Sequence, residues 1–272
     1  MFLATSRVDH LPALLIPNYE VSIKKVMRDA TIYLVFESRS LDILEGSSTP
    51  IKSNIDGPKL PSWVFSFQRS MTRMGRPMRF DDQYTCANNT TPCICQEVAG
   101  DPDVLSVLGI PVGKTTSLTS TFDHETFDSV EVFEAGVRKM YELLNESDIV
   151  CDQQRLGRTL ICDHRGYETR VSKNVCLGLQ DWLAYLSLNR ELPPRPWRLQ
   201  QSNQTYDEQT WRASMYNYDI CRGLLNRRFF IASNDVIGVG PPQMLVGDII
   251  VILYGCRWPV VLRSRGEQYE VI

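Results

Sequence analysis

Apolar positions recur along this chain with two periods, one near 3.6 residues and one of two. Behind Ser22, an N-cap residue, Ile23, Val26, Met27, Ala30, Tyr33 and Leu34 follow at helical spacing and predict an amphipathic helix ending near Ser38. Phe127, Val130, Phe133, Val137, Met140, Tyr141 and Leu144 predict a second helix, capped by Asp123 or Thr126. Two more patterns follow, on Val175, Leu179, Trp182, Leu183 and Leu186, then on Trp211, Met215, Tyr218 and Leu225. Between them Leu192, Pro193, Pro194, Arg195 and Pro196 mark a hinge. Residues 41–44, 104–110 and 116–121 read as strands, and the polar run 66–103 reads as a long surface excursion.

After Arg227 the period falls to that of strands. Short apolar, β-branched runs at 229–232, 236–239, 249–254, 259–262 and 269–272 alternate with turn residues. The breaks are Ser233-Asn234-Asp235, Pro241-Pro242, Val246-Gly247-Asp248 and Arg265-Gly266-Glu267. Strands this short and this often broken predict a small antiparallel meander or barrel. Gly238 and Gly240 within one run suit a bulge or a close backbone approach, and Pro241-Pro242 ends it. The order of elements is therefore α+β: a mixed part over 1–125, a mainly helical part over 126–226, and the β-rich end over 227–272.

Several of these stretches together resemble one family. Arg227-Arg228-Phe229-Phe230-Ile231, Ile237-Gly238-Val239-Gly240-Pro241, Val246-Gly247-Asp248-Ile249-Ile250 and Pro259-Val260-Val261-Leu262-Arg263 look like the C-terminal region of fungal heterokaryon-incompatibility proteins. Earlier blocks extend the likeness: Ala4 to Asp9 with Ala13-Leu14-Leu15, Pro17-Asn18-Tyr19, Leu41-Asp42-Ile43-Leu44, Leu60-Pro61-Ser62-Trp63-Val64, and Gly157-Arg158-Thr159-Leu160 with Asp163. Phe65 and Phe67 depart from the ending of the family's Trp-containing motif. The resemblance implies a role in self/non-self recognition and programmed cell death. It also implies that the chain starts where the family's N-terminal α/β domain ends, and stops before an expected closing strand. The family's death-inducing activity is assigned to that N-terminal domain, so a truncated, non-catalytic region is expected here.

Bulk properties narrow the classes further. Hydrophobic residues make up 43% and charged residues 22% of the 272, enough to bury a core. A net charge of −3 with scattered Lys and Arg gives no electrostatic case for nucleic acid. No run approaches the ~20 apolar residues a membrane helix needs, and the first residues lack the pattern of a secretory signal. The eight cysteines are mostly isolated within apolar patterns, as reduced cytoplasmic thiols are.

The candidate chemistry is thin, and each candidate has a plainer reading. Gly109 to Thr115 mimics a phosphate-binding loop, but it has three residues between its glycines, one of them Pro111, and a strand pattern follows. Cys86, Cys93 and Cys95 offer three soft zinc ligands, yet Cys-x-Cys is tight and the nearest downstream histidine is His124. Cys162-Asp163-His164 holds a thiol, an acid and a base, but adjacent side chains diverge. Asp248 reads as a turn residue bonding backbone N–H groups, and Arg227-Arg228 as a strand entrance that faces solvent or pairs with Asp235. The stripe of Trp211, Met215 and Tyr218 reads as core.

The expectation is a non-enzymatic α+β protein with no catalytic, cofactor-binding or metal-binding residue assigned. What is left is a regulatory or partner-binding region whose protein partner is unknown, or a remnant without function, and apolar surface near residues 11–16 would be exposed. The alternatives are a thiol hydrolase using Cys162 with His124 or His164, and a zinc-stabilised binding module around Cys86, Cys93 and Cys95.

Overall fold

The structure, a computed structural model, describes residues 20–46, 60–65, 86–87, 90–92, 94–95, 101, 103–147, 149–163, 175–194, 196 and 206–272. The apolar stretch at 11–16, His10, His164 and Cys93 lie outside them, as do the side chains of Cys95 and His124. The chain divides into two compact units that are discontinuous in sequence. One comprises residues 1–74, 84–112 and 248–272; the other comprises 75–83 and 113–247. The strands after Arg227 therefore divide between the units at Gly247 and Asp248.

In the first unit, helix α1 (Ile23–Ser38) starts where Ser22 Oγ accepts from the Lys25 amide at 3.3 Å, and it ends on Arg39 in the left-handed region. Val35 is buried, and Met27 and Ile32 pack with it against Leu41, Leu44, Trp63, Val64, Val251, Leu253, Cys256, Val260 and Val271. Residues 42–46, expected to begin as strand, form a 3₁₀ turn instead. The cause is local: Ser40 Oγ accepts from the Asp42 amide at 3.0 Å, and the Leu44 amide bonds back to Leu41 O at 2.9 Å. Leu41 is nevertheless fully buried, its amide bonded to Gly255 O at 2.7 Å.

Two short strands, β1 (Ile94–Cys95) and β2 (Ser106–Val107), pair antiparallel. Strand β3 (Gly109–Leu118) follows directly, and its first four residues belong to this unit. The tail supplies β6 (Ile249–Leu253), β7 (Pro259–Arg265) and β8 (Gln268–Val271), an antiparallel meander in the order β3-β6-β7-β8. Gly109 is required by space, because a Cβ there would lie 2.9 Å from Ile252 O and 2.7 Å from a Leu253 methyl.

The second unit is mainly helical. The single helix expected across residues 127–144 is two: α2 (His124–Asp128) and α3 (Val130–Glu146). Asp123 and Thr126 make a reciprocal capping box on α2, while Ser129, extended at φ −120° and ψ 121°, breaks the helix and caps α3 through its hydroxyl. Helices α4 (Gln153–Leu160), α5 (Val175–Asn189) and α6 (Glu208–Leu224) follow, with Asp152 and Asp207 capping α4 and α6. Phe133 meets Trp182 edge to face at 5.4 Å, and Phe122, Tyr216, Ile220 and Phe229 complete this core.

The buried face of α6 departs from the expected stripe. Ala213, Ser214, Tyr216, Asn217, Ile220 and Leu224 are buried, whereas Trp211, Met215 and Tyr218 are only half-buried. Size misled the sequence reading, because large residues at helical spacing flank the buried row and do not form it. Asn217 links three elements: its Oδ1 accepts from Trp182 Nε1 at 3.1 Å, and its Nδ2 donates to Pro193 O at 3.0 Å. The predicted hinge is thus anchored at Pro193, which is buried.

The rest of β3 pairs with β4 (Arg228–Ala232), and β4 pairs with β5 (Val236–Gly240). Asn234 and Asp235 both take positive φ, 61° and 57°, within the three-residue turn, 233–235, that follows the Ala232–Val236 pair. Between β4 and β5 the register runs without interruption, so Gly238 is no bulge. It is a close approach: a Cβ there would lie 2.4 Å from the Phe230 ring that covers it. The architecture is α+β, with antiparallel strands concentrated at the C-terminal end.

Candidate functional site

The place where sequence reasoning put a thiol, an acid and a base is the exit of α4. After Leu160 the chain turns through Ile161, then holds Cys162 and Asp163 both left-handed, at φ 52° and 53°. Backbone bonds enforce this: the Cys162 amide donates to Thr159 O at 3.0 Å and the Asp163 amide to Arg158 O at 2.6 Å. Asp163 then accepts twice from Arg158, at 2.6 and 3.1 Å. Both of these side chains are about two-fifths exposed (41% and 39%), so the pair orients more than it stabilises.

Cys162 points away from that pair. Its sulfur lies 3.7 Å from Gly223 O and 3.9 Å from Arg227 Nη1. Gly223 permits the approach of α6 to α4, since a Cβ there would sit 2.4 Å from Leu160 O. Burial pushes the Cys162 thiol above its ordinary range, over the opposing pull of the Arg227 guanidinium. A thiolate nucleophile needs the reverse shift. The side chains of His124 and His164, the two bases considered for this sulfur, lie outside the described residues.

The other sequence candidates resolve into packing. Residues 109–115 lie inside β3; the Lys114 amide donates to Ser233 Oγ at 2.9 Å, and no loop is free to wrap a phosphate there. Cys86, half-buried, donates its amide to Arg257 O at 3.2 Å and its thiol to Cys256 O at 3.4 Å. Burial, with Asp42 nearby, pushes this thiol up as well. Among the described residues no three His, Cys, Asp or Glu side chains gather to hold a metal ion. Cys93 and the Cys95 side chain are outside that set.

Three charged residues have partners the sequence did not indicate. The Asp248 carboxylate, 3% exposed, takes two bonds of 2.8 Å from Arg263. Arg228 is half-buried and donates to Thr119 O at 2.7 Å and Met244 O at 2.8 Å, and burial pulls its pKa down. The Asp235 carbonyl accepts from Arg155. Arg263, which closes the apolar run 259–262, had no structural role assigned from the sequence.

The motif around Trp63 has the same character. Trp63 is buried and its Nε1 donates to Asp103 O at 2.7 Å, while Ser62 Oγ accepts from the Val271 amide at 2.9 Å. No helix of the described residues is long and apolar enough to cross a membrane. No protein-family model matches the chain, and neither a curated protein nor a solved structure is significantly similar to it.

Proposed function

We propose that this chain is a non-catalytic, regulatory or partner-binding region of a heterokaryon-incompatibility-type protein, acting in fungal self/non-self recognition and cell death. The observation that carries this reading is the engagement of the resembling motifs. Ser62, Trp63, Arg158, Arg228, Asp248 and Arg263 are each bonded to another group of their own unit. Residues so occupied organise a scaffold; they are not poised toward a substrate. The raised Cys162 thiol argues in the same direction and against the thiol-hydrolase alternative.

The test is expression of the chain alone in a filamentous fungus, with cell death scored by a vital dye beside a Cys162→Ala variant. The reading expects normal growth with both. Death caused by the intact chain and lost in Cys162→Ala would establish a catalytic thiol and overturn it.

A further inference from the structure

Two cysteines separated by 170 positions meet in the first unit, at a turn that also gathers two other segments. The turn is residues 254–257, between β6 and β7. From one side, the Leu41 amide and Ser40 Oγ both donate to Gly255 O, at 2.7 and 3.2 Å. Asp42 accepts from the Arg257 amide at 2.8 Å and pairs with its guanidinium at 2.8 Å. From the other side, the Gly255 amide donates to Thr90 Oγ1 at 3.1 Å, and Pro92 sits where a Cβ on Gly255 would lie. Gly255 itself is left-handed, at φ 80°, so glycine suits it on both counts.

Cys86 closes this arrangement through its amide and thiol bonds to Arg257 O and Cys256 O. Cys256 is buried, and its sulfur is directed at Leu41 O, 3.9 Å away. Both are reduced thiols. Backbone bonds therefore hold two reduced cysteines on adjoining segments, one partly exposed and one behind it.

We propose that Cys86 and Cys256 are an oxidisable pair that closes to a disulfide when a peroxide reaches Cys86, fastening Cys86 to the turn at 254–257. The peroxide transfers one oxygen to the Cys86 sulfur, its O–O bond breaks, and water leaves behind a sulfenic acid. The Cys256 sulfur turns from Leu41 O, displaces the hydroxyl and forms the S–S bond, and the second oxygen departs as water with the remaining thiol proton. Two thiols are oxidised and one peroxide is reduced to two waters. The charged groups facing Cys86 are Asp42 and, paired with it, Arg257. Burial and Asp42 keep Cys86 protonated at neutral pH, so the pair is slow to react and stays open in a reducing environment.

The experiment treats the full chain with hydrogen peroxide, blocks remaining thiols, and maps linked peptides under non-reducing conditions. The expected product joins Cys86 to Cys256 and disappears in Cys86→Ser. Its rate of formation rises about tenfold per pH unit while the thiol remains mostly protonated, and dithiothreitol reverses an accompanying rise in the thermal midpoint. Recovery of Cys86 and Cys256 both blocked, or a link from Cys86 to Cys93 or Cys95, would overturn the proposal. Because the mapping is decisive on the unmutated protein, the result does not depend on a variant folding.

Discussion

Asp248 and Arg263 face each other one position beyond the Ile249–Leu262 pair of the β6–β7 ladder, joined by two bonds of 2.8 Å. The carboxylate is 3% exposed and the guanidinium 18%. A carboxylate buried to this degree is tolerable only with a partner of matched geometry, and the two-pronged guanidinium provides it. The arrangement joins two of the motifs on which the family resemblance rests, Gly247-Asp248 and the strand ending in Arg263.

Removing one member should be far worse than removing both. Asp248→Ala removes both bonds that the largely buried Arg263 guanidinium makes to this carboxylate and should cost about 3 kcal/mol. The double variant Asp248→Leu with Arg263→Met should recover most of that loss, as read from urea midpoints. A cost below about 0.5 kcal/mol for the single change, the range of exposed pairs, would show that the pair is not structural.

Gly223 offers a test in which two effects oppose. Replacing a helical glycine by alanine ordinarily gains about 1 kcal/mol. Here the new Cβ would lie 2.4 Å from Leu160 O, a backbone atom that cannot rotate away. Gly223→Ala should therefore destabilise by roughly 2 kcal/mol, as overpacking does. A higher thermal midpoint would mean that α4 and α6 separate more readily than their contact implies.

Cys162, half-buried, should behave as a weakly reactive thiol. With burial raising its pKa, the folded protein keeps the proton to higher pH than the unfolded chain does. The contribution to stability is thus fully present below the ordinary thiol pKa, roughly 8.5, and is lost as pH rises above it. Maleimide labelling at pH 7 should be slow at Cys162 in the native state and fast in urea, as followed by peptide mass. Fast native labelling would point to an activated nucleophile.

Asn217 is expected to be costly to lose for its size. Asn217→Ala leaves Trp182 Nε1 without its acceptor and Pro193 O without its donor, both at buried sites. Each unsatisfied group costs about 1–3 kcal/mol, so a total of about 3 kcal/mol is expected from chemical denaturation. A near-neutral result would show that water replaces both bonds.

Local chemistry by itself determined most of the elements. Ser22, Asp123 and the glycines and asparagines of the tail act within a few residues of themselves, so their capping and turning were legible without knowledge of the fold. The same reasoning placed strands at 104–110 and 116–121 but not between them, where one continuous strand, β3, runs from Gly109 to Leu118. It failed where a short-range competitor was hidden, at the Ser40 turn before residues 42–46 and at Ser129 between α2 and α3. Tertiary structure alone decided which distant groups meet. The pairing of Asp248 with Arg263, the carbonyls around Arg228, the row of α6 that is buried and the meeting of Cys86 with Cys256 all depend on strand register and helix packing. Those follow from the summed burial of many side chains, and no window of one sequence contains that sum.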